Sequence, residues 1–177
     1  MRVSDEQAAV GLVEVRVLEM PLDVYARSTQ HWDELMREFA LISLDSDRGE
    51  EAHARPLPRR LNALIDELTH NFSAFTANTE AERDEALARG QRTIDLAYQL
   101  PAEVADGARR LGAILEEVDD YCRAGKHLIT LATPPESLAF RQWYLEEFIE
   151  QIETRREPRP WSAYVAEHHA DQAWVSR

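Results

Sequence analysis

Glu67 and His70 in "DELTHNF" stand three apart, the E-x-x-H half of a di-metal carboxylate site, so metal binding is the first chemistry these residues suggest. Such a site needs a second copy and two more inward carboxylates. The segment 102–123 offers Glu116, Glu117, Asp119 and Asp120 but no histidine, and the segment 133–153 offers Glu146, Glu147 and Glu150 without one. His31 and Glu34 have the right separation in reversed order. His168 and His169, beside Asp171, are adjacent, and adjacent residues leave a helix on different sides, which makes a poor chelate. The single cysteine, Cys122, builds neither an internal disulfide nor a zinc ligand set; on the apolar side of a helix it reads as a small core residue. Hydrated helix faces explain these acidic and histidine residues better than ligation. No metal and no other cofactor is expected.

Nucleophilic and phosphate chemistry find no better footing. The chain has no G-x-S-x-G and no Cys with a His at motif spacing. Glu67 and Asn71 lie four apart on one helix ridge, as in kinases that hold magnesium and nucleotide this way. Those folds need glycine-rich loops to bring backbone amides to phosphate, and the six glycines here never form G-x-G. A constellation assembled in space leaves no trace along the chain, but nothing in the motifs argues for an enzyme.

Charge narrows the partners. Against 33 acidic residues there are 20 basic ones, a net charge of −13 that repels a phosphate backbone unless the arginines cluster. The nearest clusters are Arg55, Arg59 and Arg60, and Arg155, Arg156 and Arg159, so nucleic-acid binding is not expected. Apolar runs such as "HLITLA" fall far short of the roughly 20 residues that cross a bilayer. The N-terminus lacks the basic start and apolar block of a signal peptide, which places the protein in the cytoplasm with no membrane partner.

The elements that must carry these residues follow from periodicity. "VEVRVLEM" alternates Val13, Val15 and Val17 against Glu14 and Arg16, a half-buried strand stopped by Pro21. Tyr25, Trp32, Leu35, Met36, Phe39 and Ile42 then make one helical stripe to about Leu44. A polar loop follows, and Leu61, Leu64, Ile65, Leu68, Phe72 and Phe75 define a core helix. "TEAERDEALARG" predicts a separate short helix with a Thr79–Glu82 capping box and a stop at Gly90. "TIDLAYQL" is a second strand stopped by Pro101, and Val104, Ala108, Leu111, Leu115, Val118 and Cys122 stripe the next helix. "HLITLA" reads equally as helix or strand. Thr133, Pro134 and Glu136 predict a capped helix start, with the helix running to about Glu153. The expected fold is therefore α+β and predominantly helical. About five helices form a bundle-like core with two short strands, in a worn strand-helix-helix duplication or a convergence on its outline. Residues 1–12 form a loose arm, 13–153 a single domain, and 154–177 a tail that docks a short helix or stays mobile.

In "LAFRQWYLEEFIEQ" the stripe Leu138, Leu145, Phe148, Ile149 and Ile152 suffices to join a core, which leaves Phe140, Trp143 and Tyr144 over. Aromatics beside Arg141 and Glu147 are what binding hot spots favour, and Arg123 extends such a surface; a helix buried on most sides explains them equally well. The alternative site is an apolar ligand pocket between helices lined by Trp32, Phe72 and Trp143.

"REFALI", the second "LP" strand turn, "DYCRAG" and "PPESLAFRQWYLEEFIEQI" followed by "PRPW" resemble a group of small actinobacterial proteins. Those proteins are found alongside anti-sigma regulatory kinases, STAS-domain antagonists and their phosphatases. The resemblance spans roughly residues 13–161 and implies an accessory, non-enzymatic regulator whose partner is another protein of a signalling locus. Two strands alone make a marginal sheet, so they are expected either to lie against helices or to pair across a homodimer. A small-molecule sensor is the alternative function, and a metal-dependent enzyme the weakest.

Overall fold

The structure, a computed structural model, describes residues 11–46, 56–123 and 133–175. Strand β1 (Val13–Pro21) leads into helices α1 (Leu22–Ser46) and α2 (Pro56–Ala88), and strand β2 (Thr93–Leu100) into α3 (Val104–Arg123) and α4 (Pro135–Glu153). Helix α5 (Trp161–Val175) closes the order. Among the described residues the protein is thus a predominantly helical α+β fold in which strand, helix, helix occurs twice. The arm 1–10 and the "HLITLA" segment lie outside the described residues.

The two strands pair antiparallel with each other, Val13 opposite Leu100, Val15 opposite Tyr98 and Val17 opposite Leu96. All six side chains are buried, so the period-two pattern becomes one apolar sheet face. On the other face the Gln99 amide donates to Glu14 at 3.0 Å. Between Val17 and Met20 the register shifts. There Glu19 takes φ +55°, a conformation costing a non-glycine residue about 1 kcal/mol or more. Its N–H donates to Asp95 Oδ1 at 2.7 Å and its carboxylate accepts from Ser162. The free edge of β1 is not left open. The Gln151 side-chain amide accepts from the Arg16 N–H at 2.9 Å and donates to the Arg16 carbonyl at 2.8 Å, standing in for one residue of a third strand.

Pro21 ends β1 as expected, and the Leu22 N–H that follows donates to the Arg92 carbonyl at 3.0 Å. Helix α2 does not break at Thr79. The Thr79 hydroxyl donates to the Thr76 carbonyl within the helix at 2.8 Å, so the capping-box spacing falls inside one continuous 33-residue helix. The stop at Gly90 is real. Gly90 takes φ +69°, its N–H donates to Leu87 and that of Gln91 to Ala86, the paired bonds of a Schellman motif.

Among the described residues two apolar cores result. One joins the sheet to α4 and α5 around Trp143, Phe148 and Tyr164; the other joins α1, α2 and α3 around Leu35, Leu61, Leu64, Leu115 and Val118. Trp161 and Tyr164 of α5 pack into the first core: Tyr164 is buried and stacks on Trp161, their ring centroids 5.7 Å apart. Two of the three arginines just ahead of α5 turn inward, while Arg155 stays exposed. Arg156 and Arg159 converge on the fully buried Glu147, which offsets their charge in any basic patch.

Across the second core Glu67 pairs with Arg110 at 2.6 and 2.9 Å, and Glu117 with Arg60 at 2.8 and 3.1 Å, tying α2 to α3. The arginine hydrogen bonds hold both carboxyls below their ordinary value of 4.5. A depressed folded value means that the pairs stabilise the fold above the ordinary carboxylate range, and that this is lost as pH falls through the folded values. The pairs are exposed, so the effect is small. Glu67→Gln should lower the urea midpoint at neutral pH and leave it unchanged in strong acid, where the wild-type carboxyl is already protonated; an equal loss at both would show that the charge is not what matters.

Candidate functional site

Where the two cores meet, the described residues leave a cleft of about 440 Å³ between α1, α3 and α4. Helix α1 contributes Tyr25, Ser28, His31, Trp32 and Leu35 through its apolar stripe and the flank beside it, and α3 contributes Leu111, Leu115, Val118 and Asp119. Helix α4 adds Phe140, Arg141, Tyr144 and Leu145. Ring packing sets the wall. Phe140 stacks on Tyr144 with centroids 5.8 Å apart and meets Tyr25 edge-on at 6.4 Å. The Arg83 guanidinium lies 4.6 Å over the Tyr25 ring and helps to fix it.

One polar chain runs along this apolar wall. Asp119 is buried and accepts from Arg141 on one carboxylate oxygen and from the Thr133 hydroxyl at 2.6 Å on the other. Thr133 has one proton and gives it to the carboxylate, so its contact at 3.3 Å with His31 Nε2 requires that nitrogen to be the donor. The result is a one-way chain from His31 through Thr133 to Asp119, closed by Arg141. It departs from the expected use of Thr133 as a helix cap: the residue preceding α4 is Pro134, there is no side-chain cap bond, and proline opens the first turn. A buried Asp–Arg pair needs such extra hydrogen bonds to offset its desolvation.

The Ser28 hydroxyl is the exception. Its oxygen is buried beside the cleft and has no hydrogen-bond partner. A helical serine ordinarily returns its proton to a carbonyl in the preceding turn.

A second cleft of about 300 Å³ lies on the other side of Tyr144 and Leu145, lined by Leu68, Phe72 and Gly107. A Cβ on Gly107 would come within 2.7 Å of Leu68, so the glycine permits this approach of α3 to α2. The Tyr144 hydroxyl lies 3.0 Å from that of Tyr98, and burial pushes both phenols upward, Tyr144 well above its ordinary value.

The expected residues divide between these places. Trp143 and Glu147 are fully buried and Phe140 nearly so, which makes them interior to this chain rather than a partner surface; the aromatics left over by the α4 stripe fill the first core. Arg141 and Tyr144 line the larger cleft, while Arg123 stands exposed at the end of α3, paired with Asp120 at 2.9 Å. The expected pocket of Trp32, Phe72 and Trp143 does not form as one site. Trp32 lines the larger cleft, Phe72 the smaller, and Trp143 neither.

Among the described residues no three His, Cys, Asp or Glu side chains converge as a metal site would require. Glu67 of the E-x-x-H pair is held by Arg110, and His168 Nδ1 contacts the Tyr164 carbonyl at 2.9 Å; the His169 side chain lies outside the described residues. Cys122 packs against the second core, and burial, then the charges of Asp119 and Glu38, push its thiol upward, away from the reactive thiolate. No helix of the described residues is long and apolar enough to cross a membrane.

Sequence reasoning missed Ser28, weighed Asp119 only as a metal carboxylate and gave Thr133 the role of a helix cap. One signal was present: Asp119 stands four after Leu115, inside the apolar arc of α3, where a carboxylate requires a partner. Comparison with known proteins adds no second line, because no family model, no curated protein and no solved structure matches the chain.

Proposed function

We propose that this protein is a ligand-binding regulatory domain, and that the cleft between α1, α3 and α4 holds its small-molecule signal. The observation that supports this best is the cleft itself: about 440 Å³, walled by aromatic and aliphatic side chains, with a few linked polar groups among them. That is the ordinary make-up of a small-molecule site. Burial of Phe140, Trp143 and Glu147 shifts the weight from a protein-docking α4 to this sensor function. The resemblance to accessory proteins of anti-sigma loci supports a non-enzymatic role in which occupancy is read by another protein.

Titration with the uncharged fluorophore N-phenyl-1-naphthylamine tests the site. One saturable site is expected, with enhanced emission and a rise in melting temperature that follows the free probe concentration. Leu111 is half-buried and lines both clefts, so Leu111→Trp should fill the space and weaken the probe about tenfold or more while the far-ultraviolet dichroism is kept. Equal binding by the folded variant, or no saturable binding by the wild type, would remove the ligand site.

A further inference from the structure

We infer the chemical class of the ligand: an uncharged, ring-bearing molecule with a single hydroxyl or carbonyl that pairs with Ser28 Oγ. The inference rests on the cleft being the ligand site, and it follows from which polar groups there are spent and which is spare.

The charged groups of the wall are committed to one another. Asp119 holds Arg141 and Thr133, and Thr133 in turn takes the His31 N–H. A ligand carboxylate that claimed Arg141 would leave Asp119 buried beside it with its ion pair broken; a ligand ammonium that claimed Asp119 would strand Arg141 in the same way. The net charge of −13 further disfavours an anion. Ser28 Oγ alone among these groups is buried and without a partner, and with no counter-charge to spare beside it a neutral donor or acceptor satisfies it without the cost of desolvating an unpaired charge. Elsewhere in the lining of the cleft Tyr25, Trp32, Phe140 and Tyr144 offer ring faces and edges, which favour an aromatic or fused-ring body over a flexible acyl chain.

Four probes of one shape separate the possibilities when the full chain is titrated in competition with N-phenyl-1-naphthylamine: 2-naphthol, 2-methylnaphthalene, 2-naphthoate and 2-naphthylmethylammonium. Water favours expulsion of the methyl compound over the naphthol, so a preference for naphthol must come from the site. The naphthol is expected to bind about tenfold tighter than 2-methylnaphthalene, and both ions at least tenfold weaker than the naphthol. Ser28→Ala should abolish the preference for naphthol and leave 2-methylnaphthalene within about twofold. The same variant should melt higher without ligand, by about 2–4 °C, because it removes an unsatisfied buried hydroxyl. Tightest binding by either ion, or an undiminished naphthol preference in Ser28→Ala, overturns the assignment. If the fluorophore binds and Leu111→Trp weakens it but the naphthol shows no advantage, the cleft survives as a ligand site and only the ligand class fails. If the fluorophore does not bind at all, both fail.

Discussion

Trp143→Ala should destabilise the protein by about 3–5 kcal/mol, read as a lower urea midpoint with an unchanged slope, or as a chain that no longer folds cooperatively. The indole is fully buried in the first core. Its ring lies 5.3 Å from that of Trp161 and 5.8 Å from that of Phe140, centroid to centroid, so truncation opens a cavity lined by rigid rings that cannot collapse into it. The indole N–H also donates to the Arg159 carbonyl at 2.8 Å, the bond that holds the proline-flanked segment ahead of α5. Trp143→Phe keeps most of the ring area and removes that donor, and should therefore cost distinctly less. A folded Trp143→Ala variant within about 1 kcal/mol of wild type would return this residue to the surface role that its hot-spot neighbours suggest.

The strands, their proline stops, the Gly90 cap and the stripe of α3 were legible because each is a local pattern with one physical solution. In α4, by contrast, the buried face runs through Phe140, Trp143, Glu147 and Gln151 rather than through the expected stripe alone. Thr79 and Thr133 were misread for a common reason. A threonine three residues before Glu is a cap only if the chain on its N-terminal side is not already helical and if nothing else competes for the hydroxyl. Thr79 sits inside a helix with no proline or glycine to break it, and Thr133 finds Asp119 instead. The site was half legible. Asp119, Glu147 and Gln151 each stand four residues after a buried apolar or polar neighbour on the same stripe, at Leu115, Trp143 and Glu147, which marks them as buried polar groups in need of partners. Who the partners are could not be read, since Gln151 serves Arg16, 135 residues away, and only the fold brings them together.

Glu147 is where those distant contacts meet, and Glu147→Ala should cost about 3–5 kcal/mol, as removal of one member of a buried ion pair does. Its carboxylate accepts from Arg156 at 2.6 Å on one oxygen, and on the other from the Gln151 amide at 2.8 Å and the Arg159 N–H at 3.0 Å. Truncation removes the carboxylate from the Arg156 guanidinium and from beside Arg159, and the Nε atoms of both already lack hydrogen-bond partners. It leaves Arg159 with the carboxylates of Glu146 and Glu167 alone, and frees the Gln151 amide that seals the edge of β1. Glu146→Ala is the control. That carboxylate is about half exposed and meets Arg159 from outside, so its loss should stay below about 1 kcal/mol. Trp143 and Glu147 also grip the same residue from two sides, the indole on the Arg159 carbonyl and the carboxylate on its N–H. A double-mutant cycle of Trp143→Phe with Glu147→Gln should therefore show coupling of about 0.5–3 kcal/mol, with limited proteolysis cutting 154–160 more readily in the double variant than in either single one. Strict additivity would mean that α5 is held by its own ring contacts, Trp161 and Tyr164 against the first core, and that the buried carboxylate serves only the strand edge.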